Sequence, residues 1–281
     1  MANVKIAGCV ILYHPKDETV QNIQSYIHQL DYLYLINNGG GEKVIEKIRN
    51  QYPNIGVLDY PENQGIAHPL NVVLYKAAAQ YDYLLTMDQD SSFPFGAAED
   101  YFSRIRGNND KAEKIASYAV NYADLDPEKL KKQVITYYIT SGSVLHVKNA
   151  IHLGGFDEKL FIDQVDSEFA YRAKVNGYEI KTFFDLPLNH HLGNPTHYAV
   201  GPYHFDVLNH SPLRKYYIVR NQIYVMRKYP FLKHAYKKYV LKELVKILFF
   251  EGEKYKKIKY IILAVTDALH NRYGKYNGEI K

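Results

Sequence analysis

The stretch YDYLLTMDQDSS, residues 81–92, indicates both the class of fold and the place of a candidate site. It opens as a near-continuous apolar run, which is typical of a strand buried on both faces of a sheet. It ends in Asp88 and Asp90, two carboxylates one residue apart. Like charges this close repel each other unless a positive group neutralises them. We therefore expect the strand to end at a polar rim, beside a cation.

Apolar runs and helical periods alternate through the first part of the chain. The runs occupy residues 4–13, 31–38, 54–60 and 81–87, and the segments that separate them carry apolar residues at helical spacing. This alternation predicts an α/β fold with a mostly parallel central sheet, covered by helices on both faces. Later predicted elements are a helix near 96–106, a strand near 114–121, extended chain interrupted at Ser141–Gly142, a helix over about 163–175, a strand near 178–186 and helices from Ser211 onward, with breaks at Pro230 and Gly252.

Composition limits the class of protein. The chain has 281 residues, a formal net charge of +5 and a single cysteine, Cys9. One cysteine excludes an intramolecular disulfide and a multi-cysteine metal site. The N-terminus shows no signal-peptide pattern, and no apolar run approaches the roughly 18 residues that span a bilayer. We expect a cytoplasmic protein with no nucleic-acid partner.

Polar residues follow four of the predicted strands. In open α/β sheets, ligands bind beyond the carboxyl ends of the strands. We therefore expect these residues to converge on one rim and to form a binding site. They are Tyr13, Asn37, Asn38, Gly39, Asn63, Gly65, Asp88, Gln89 and Asp90.

Asp88 and Asp90 suit a hard divalent cation, Mn²⁺ or Mg²⁺, which takes oxygen ligands and commonly bridges a substrate diphosphate. The alternative is that the two carboxylates cap a turn and the helix that follows. In isolation an Asp-x-Asp pair favours the capping alternative, because such pairs are common. Its place at the end of the fourth strand of an α/β half favours the metal site.

Asp163 and Asp166 lie in GGFDEKLFIDQVDSEFAYR, residues 154–172. Three residues apart, they would share one face of the predicted helix. One interpretation is a capping arrangement, with Asp163 as N-cap and Asp166 in the first turn. The other is a general base, a carboxylate kept ionised beside a reacting hydroxyl.

Two further segments carry candidate residues. His190 and His191 follow a predicted strand, and either imidazole could complete a cation site; a structural or exposed histidine pair is the alternative. In SPLRKYYIVRNQ, residues 211–222, Arg214 and Tyr217 share a helix face, and Arg220 falls on an adjacent stripe. Arginine and tyrosine suit phosphate oxygens, although spacing alone fits a solvated basic helix equally well.

Together these motifs resemble the inverting glycosyltransferases of family 2, which have the nucleotide-sugar-binding GT-A fold, and most of all their rhamnosyltransferase branch. The resemblance covers roughly residues 4–225. It implies a GT-A catalytic domain over 1–225, with a nucleotide-binding half (1–92) and an acceptor-binding half (93–225), followed by a basic amphipathic helical extension over 226–281. The motifs that carry it are NQGIAHPLN, LLTMDQDSS, ITSGS, GGFDEKLFIDQVDSEFAYR, HHLG and RKYYIVRN.

The resemblance implies roles for individual residues. Asp90 would ligate the metal, Asp88 would lie near the metal and the donor ribose, and His190 would be the metal-side histidine, with His191 as its substitute. Asp166 would be the general base. The implied nucleotide-binding residues are Tyr13, Asn37, Asn38, Asn63, Asp88 and Gln89. The implied donor- or acceptor-binding residues are Ser141, Gly142, Asp163, Arg214, Tyr217 and Arg220.

One position departs from the family. The second strand of these enzymes usually ends in Asp-Asn-Gly-Ser, where the acid helps to hold the base, but here the text is INNGGG and Asn37 replaces the acid. An amide oxygen can still accept a hydrogen bond from the N3–H of thymine or uracil, without the charge. The nucleotide preference implied by the family is therefore weakened.

The function implied is a metal-dependent inverting transfer of a sugar, L-rhamnose from dTDP-rhamnose, to a hydroxyl of a saccharide or lipid-linked saccharide acceptor in surface polysaccharide biosynthesis. A UDP-hexose or UDP-galactofuranose donor is the alternative within the family. A nucleotidyltransferase is disfavoured because no Gly-rich basic loop follows the first strand. A non-catalytic glycan- or membrane-binding module is disfavoured because Asp90 and Asp166 are both present.

The segment beyond Phe231 is basic and amphipathic, with Lys and Arg in more than twofold excess over Asp and Glu. Such helices can lie on an anionic membrane surface, which would place the protein at the inner face of the cell membrane. Alternatively, they pack on the catalytic domain or mediate homo-oligomerisation through the apolar stripe.

Overall fold

A computed structural model describes residues 4–108, 113–130, 136–190, 195–201 and 203–278. The chain divides into two compact units. The first contains Met1–Glu158 and Val165–His190, and the second contains Lys159–Gln164 and His191–Lys281. The division predicted after residue 225 is a functional one, between a catalytic domain and a helical extension. It is not the same as the division into compact units, and it stays a prediction.

The first unit is built on a seven-stranded sheet in the order β3-β2-β1-β4-β6-β5-β7. Neighbours pair in parallel except at β6, which is antiparallel to both β4 and β5. The predicted α/β class with a mostly parallel sheet is therefore confirmed. The strands are β1 (Ile6–Leu12), β2 (Tyr32–Asn37), β3 (Ile55–Asp59), β4 (Tyr83–Asp88), β5 (Ile115–Asn121), β6 (Ser143–His146) and β7 (Glu179–Pro187).

Apolar periodicity explains the helices of this unit. Val44, Ile45 and Ile48 recur at helical spacing, and all three are buried in the core that β1 and β2 also line. Burial of this stripe, rather than intrinsic propensity, supplies most of the stability of so short a helix. The helices are α1 (Glu18–Gln24), α2 (Glu42–Arg49), α3 (Ala67–Ala77), α4 (Ala97–Gly107), α5 (Pro127–Leu130), α6 (Val147–His152) and α7 (Val165–Val175).

Helix α7 begins two residues later than predicted. Phe161, Asp163 and Gln164 all have positive φ, between 60° and 65°, which is incompatible with a right-handed helix. Asp163 therefore neither shares a helix face with Asp166 nor caps α7, and both of those expectations were wrong.

The second unit contains a hairpin and three long helices. Strands β8 (Thr196–Val200) and β9 (Tyr203–Val207) pair antiparallel, a hairpin that the sequence did not predict. Ser211 caps the next helix by accepting a hydrogen bond from the Arg214 amide at 3.2 Å. The helices are α8 (Pro212–Lys228), α9 (Lys233–Phe249) and α10 (Lys254–Leu269), with breaks at the predicted positions. No helix among the described residues is long and apolar enough to cross a bilayer.

Buried ion pairs join the three helices of the second unit. Lys215, only 2% exposed, donates to Glu243 at 2.5 Å and to Glu251 at 2.8 Å. Lys257 donates to the other oxygen of Glu251 at 2.7 Å. Each buried charge thus faces an opposite one, the condition under which charges are tolerated in an interior.

Candidate functional site

The carboxyl ends of three parallel strands meet at one rim of the sheet. In the β1–β4 pair, Ile11 lies opposite Asp88, and in the β1–β2 pair, Leu12 lies opposite Asn37. Tyr13 follows Leu12 directly. Parallel pairing in this register therefore places polar strand ends side by side, as predicted.

Asp88, Asp90 and His190 come together at this rim. Each offers a ligand atom, and the three atoms lie within 4.8 Å of one another. His190 arrives from far along the chain because Ser92 and Asn189 form an antiparallel bridge, with hydrogen bonds of 3.0 and 2.9 Å. We call Asp88, Asp90 and His190 the acidic-histidine cluster.

The donor atoms of the acidic-histidine cluster suit a divalent cation. Carboxylate oxygens are the ligands that Mg²⁺ prefers, and a mixed oxygen and imidazole set also suits Mn²⁺. The buried hydroxyl of Ser91 lies 2.8 Å from Nδ1 of His190 and fixes the orientation of the ring. Histidines that bind metal usually have one ring nitrogen held by such a hydrogen-bond partner. His191, the alternative ligand, lies outside the described residues.

Asp166 is the second residue of α7 and is half-buried. Its Oδ1 accepts a hydrogen bond from the Ser167 amide at 2.7 Å. The N-terminus of a helix favours a negative charge. Burial raises the pKa of Tyr138 to about 12, and the charge of Asp166 contributes to the rise.

Ser141 and Gly142 support the end of β4. The buried Ser141 hydroxyl accepts a hydrogen bond from the Asp88 amide at 3.1 Å, and the Gly142 amide donates to the Thr86 carbonyl at 3.0 Å. Gly142 has φ +75°, and a Cβ there would meet Val120 and Leu188 at 2.8 and 2.9 Å. Glycine is required both by the backbone conformation and by this close packing.

Both the oxygen and the nitrogen of the Asn37 side-chain amide form hydrogen bonds with other residues of the protein. Its Oδ1 accepts from the amides of Gly39 at 3.3 Å and Gly41 at 2.9 Å. Its Nδ2 donates to Glu42 at 3.0 Å and to Asp59 at 3.1 Å. The hydrogen bond from Asn37 lowers the pKa of Glu42. Asn37 thus organises the turn after β2, and its predicted contact with a base stays a prediction.

The other predicted nucleotide-binding residues shape the rim. Asn38 donates to Asn63 at 3.2 Å and to the Gly65 carbonyl at 2.9 Å, which joins two strand-end loops. Gln89 brackets the backbone of Tyr13, accepting at 2.8 Å and donating at 3.0 Å. The Tyr13 ring is 47% exposed and is therefore available for stacking.

Asp163 and Arg214 pair within the second unit. Two Arg214 nitrogens lie 2.7 Å from the two carboxylate oxygens. Burial raises the pKa of Asp163, and the Arg214 guanidinium opposes that rise. This pairing, rather than helix capping, accounts for an acid in the loop before α7.

Tyr217 and Arg220 are buried among protein partners. The Arg220 guanidinium, 1% exposed, donates to the Gly274 carbonyl at 2.8 Å, and its carbon lies 5.0 Å from the centre of the Tyr217 ring. The Tyr217 hydroxyl accepts from the Tyr276 amide at 2.8 Å. These contacts are structural, and a contact with diphosphate or acceptor stays a prediction for both residues.

Sequence analysis missed two residues of this region. Ser91, which orients His190, was hidden because a serine after an Asp-x-Asp pair has no pattern of its own. Tyr122 packs edge-on against the His190 ring, with centroids 6.2 Å apart. Its position directly after the predicted strand 114–121 was the available signal, since the other candidate residues of the rim also follow strand ends.

The chain was compared with known proteins. No protein-family model matches it. The sequence is 22% identical over 247 residues to the dTDP-rhamnosyl transferase RfbF of Shigella flexneri, over 80% of this chain and 81% of RfbF. The fold is similar to that of the mannosyltransferase PcManGT from Pyrobaculum calidifontis, which was solved in complex with GDP-Man and Mn²⁺. The TM-score is 0.59 at 13% identity, and the match covers 95% of this chain and 88% of PcManGT.

Two further solved structures share the fold. GalNAc-T7, solved with UDP, GalNAc and Mn²⁺, has a TM-score of 0.57 at 12% identity, over 81% of this chain and 48% of GalNAc-T7. S. aureus TarS has a TM-score of 0.52 at 16% identity, over 99% of this chain and 46% of TarS. This chain thus spans about half the length of either protein. The GT-A fold and the resemblance to the family 2 glycosyltransferases, in particular to the rhamnosyltransferase branch, are confirmed.

Proposed function

We propose that this chain is an inverting, metal-dependent glycosyltransferase that moves L-rhamnose from dTDP-rhamnose to a hydroxyl of a saccharide acceptor in surface polysaccharide biosynthesis. The observation that carries the proposal is the acidic-histidine cluster at the carboxyl end of β4 in a GT-A fold. The named activity of RfbF supports rhamnose as the sugar. The Mn²⁺ in two of the similar structures supports a metal at such a site.

Asp90 and His190, with Asp88, would hold Mn²⁺ or Mg²⁺. A divalent cation there supplies charge neutralisation for the departing nucleoside diphosphate. Asp166 accepts the proton of the acceptor hydroxyl, and the oxygen attacks the anomeric carbon while its bond to the diphosphate breaks. A single displacement of this kind inverts the anomeric centre.

The residues at the rim have different roles in binding the nucleotide. The exposed Tyr13 ring stacks on the base. Gln89 holds the Tyr13 backbone through two hydrogen bonds and so fixes the position of the ring. Asn38 and Asn63 hold the adjoining loop. Arg214, whose side chain is 40% exposed beside Asp163, is the most exposed of the three candidates for contact with diphosphate or acceptor, the others being Tyr217 and Arg220.

A UDP-hexose or UDP-galactofuranose donor is the competing proposal within the same reaction class. GalNAc-T7 was solved with UDP, and a pyrimidine diphosphate is common to both proposals. A non-catalytic binding module is the third candidate, and it predicts no turnover at all.

Donor hydrolysis tests the proposal directly. Purified protein with Mn²⁺ or Mg²⁺ is offered dTDP-rhamnose, UDP-glucose, UDP-galactose and UDP-galactofuranose, with and without a saccharide acceptor. We expect metal-dependent release of dTDP from dTDP-rhamnose, lost in Asp90→Asn. Glu46→Gln, the same change at an exposed residue of α2, is the matched control and should retain turnover. Turnover of a UDP-sugar alone would overturn rhamnose, and silence with every donor and acceptor would favour the binding module.

We also propose that α9 and α10 bring the protein to an anionic membrane surface. Leu241, Val245, Leu248 and Phe249 lie at helical spacing on α9, and all are exposed. The exposed Lys238 and Lys242 flank this stripe. Exposed apolar residues beside lysines are the composition of an interfacial helix, and a lipid-linked acceptor would be reached there.

A further inference from the structure

Tyr122 lies at the carboxyl end of β5, in a backbone fixed by hydrogen bonds. The Asn121 side chain accepts from the Leu125 amide at 2.7 Å and donates to the Phe184 carbonyl at 3.0 Å. The Leu188 amide donates to the Asn121 carbonyl at 2.9 Å. The position of Tyr122 is therefore set by the sheet rather than by a free loop.

The Tyr122 ring is adjacent to the acidic-histidine cluster. It packs edge-on against the His190 ring, with centroids 6.2 Å apart and planes 84° apart. The side chain is half-buried, so one part of it faces the protein and the other faces solvent.

The charge of Asp166 also acts on the Tyr122 side chain. Burial raises the pKa of Tyr122, and the charge of Asp166 raises it further. All of these residues belong to the first unit. Tyr122 thus contacts one proposed metal ligand, His190, and lies within the electrostatic field of the proposed general base.

The Tyr122 hydroxyl makes no hydrogen bond with another residue over the ranges that the structure describes. A tyrosine hydroxyl can both donate and accept a hydrogen bond. Because the side chain is half-buried at the rim of the sheet, its hydroxyl is available to a ligand there.

Reaction geometry identifies that ligand. In a single displacement, the anomeric carbon would lie between the departing phosphate oxygen, whose charge the acidic-histidine cluster and its cation would neutralise, and the attacking hydroxyl, whose proton Asp166 would accept. A side chain in contact with the cluster and within the field of Asp166 is therefore suited to contact the sugar in transfer. Resting on the proposed function, we propose that Tyr122 binds the transferred sugar, its hydroxyl hydrogen-bonding to a sugar hydroxyl and its ring packing on the apolar face of the deoxyhexose.

The test compares two ligands that differ only in the sugar. The affinities of dTDP-rhamnose and dTDP are measured by calorimetry in the presence of Mn²⁺, for the wild type and Tyr122→Phe. This change removes the hydroxyl and keeps the ring on His190. We expect about fivefold weaker binding of dTDP-rhamnose, the usual effect of one hydrogen bond, and unchanged binding of dTDP. Tyr75→Phe, at an exposed position of α3, should change neither affinity.

The possible results distinguish failure of this inference from failure of the proposed donor. Equal weakening of both ligands would show a structural role for the hydroxyl, and no weakening of either would show no role; each overturns the inference. A wild type that binds dTDP-rhamnose no better than dTDP overturns the proposed donor instead. The same comparison is then made with the UDP-sugar that is turned over and UDP, and it decides the role of Tyr122 by the same criterion.

Discussion

Gly142 lacks a Cβ atom, and this allows the core and the end of β4, where the candidate site lies, to pack closely. Its amide and the Ser141 hydroxyl hold the last residues of β4, while its φ of +75° and its contacts with Val120 and Leu188 leave no room for a Cβ. A larger residue here must displace either the core or the strand end. The end of β4 carries Asp88, so the cost is expected in activity as well as in stability.

Gly142→Ala should lower the free energy of unfolding by about 3 kcal/mol, from backbone strain and overpacking together. Gly96→Ala is the matched control, because Gly96 has φ +76° but nothing within 4 Å of a new Cβ. It should cost about 1 kcal/mol, the strain alone. Urea unfolding measures both, and equal losses would show that the contacts with Val120 and Leu188 do not resist the methyl group.

Individual residues show how far the sequence could predict the site. The place of Asp88 and Asp90 at the rim was predictable because both follow the end of a buried parallel strand, and the carboxyl ends of such strands lie at one edge of the sheet. Asp163 was not, because a left-handed backbone at three non-glycine residues leaves no mark in apolar periodicity. Asn37 was predicted to face a base, yet its four hydrogen bonds depend on Gly39, Gly41, Glu42 and Asp59, and such a network is visible only in three dimensions.

At the scale of elements, α8 fixes the loop of the second unit that precedes α7 in the chain. The Asn221 amide donates to three carbonyls of that loop, Leu160 at 2.7 Å, Ile162 at 2.6 Å and Asp163 at 3.0 Å. Left-handed residues cost energy and persist only where the surroundings determine them. One buried amide therefore holds a conformation that the loop would not adopt alone.

Asn221→Ala should destabilise the protein by about 3 kcal/mol, because buried carbonyls lose their donor. Urea unfolding gives the global effect, and hydrogen exchange should show faster exchange at the amides of residues 160–164 than elsewhere. Asn54→Ala, at an exposed side chain, is the control and should change the free energy by less than about 0.5 kcal/mol. Unaltered exchange in the loop would contradict the role given to Asn221.

The buried ion pairs of α8, α9 and α10 make stability depend on pH. Burial opposes ionisation of Glu251, but hydrogen bonds from Lys215 and Lys257 outweigh it and lower its pKa below the ordinary value of 4.5. A carboxyl with a lowered pKa in the folded state contributes stability above its unfolded pKa and loses it as pH falls through the folded pKa. The contribution should be constant near neutral pH and should decline below about pH 4.5.

Glu251→Gln should therefore cost about 3 kcal/mol at pH 7, since it leaves Lys215 and Lys257 with one carboxylate fewer in a buried place. The difference from wild type should shrink as the pH is lowered from 5 to 3, measured by urea unfolding at each pH. Glu253→Gln, at an exposed surface pair with Lys256, should cost little at any pH. A difference that stays constant down to pH 3 would mean that Glu251 does not titrate as described.

At the scale of the whole molecule, the parallel half of the sheet was predictable and the rest was not. Strands β1 to β4 alternate with helices, so their order follows from short right-handed crossovers. Strand β6 is only four residues long and inserts antiparallel between β4 and β5, a placement that depends on non-local pairing. The β8–β9 hairpin was missed although Phe205 and Val207 alternate with His204 and Asp206, because five residues of alternation are too short a pattern to distinguish a strand from a loop. Its aromatic residues Tyr198 and Phe205 stack on each other and pack against Phe250, a long-range contact that is visible only in three dimensions.

The exposed face of the second unit supports the last prediction. Helix α9 carries five lysines and one glutamate, and that glutamate is buried against Lys215, so the surface charge beside the apolar stripe is positive. Helix α10 exposes Tyr255, Ile262 and Leu269 in the same unit. We expect the protein to sediment with vesicles containing anionic lipid and not with purely zwitterionic vesicles, because lysines are attracted to the anionic surface and the stripe enters it.

Two variants separate the contributions of charge and apolar area. Lys238→Glu with Lys242→Glu should abolish binding at low anionic-lipid content, and Leu248→Ser with Phe249→Ser should weaken it at every lipid composition. Val175→Ser, an exposed apolar residue of α7 in the first unit, should leave binding unchanged. Added salt should weaken binding of the wild type, since the attraction is screened beyond about 10 Å at 0.1 M ionic strength. The alternative is that the stripe mediates contact between copies of the chain. In that case the protein would not bind vesicles, and its sedimentation coefficient would rise with protein concentration. The Leu248 and Phe249 variant would then sediment as a monomer.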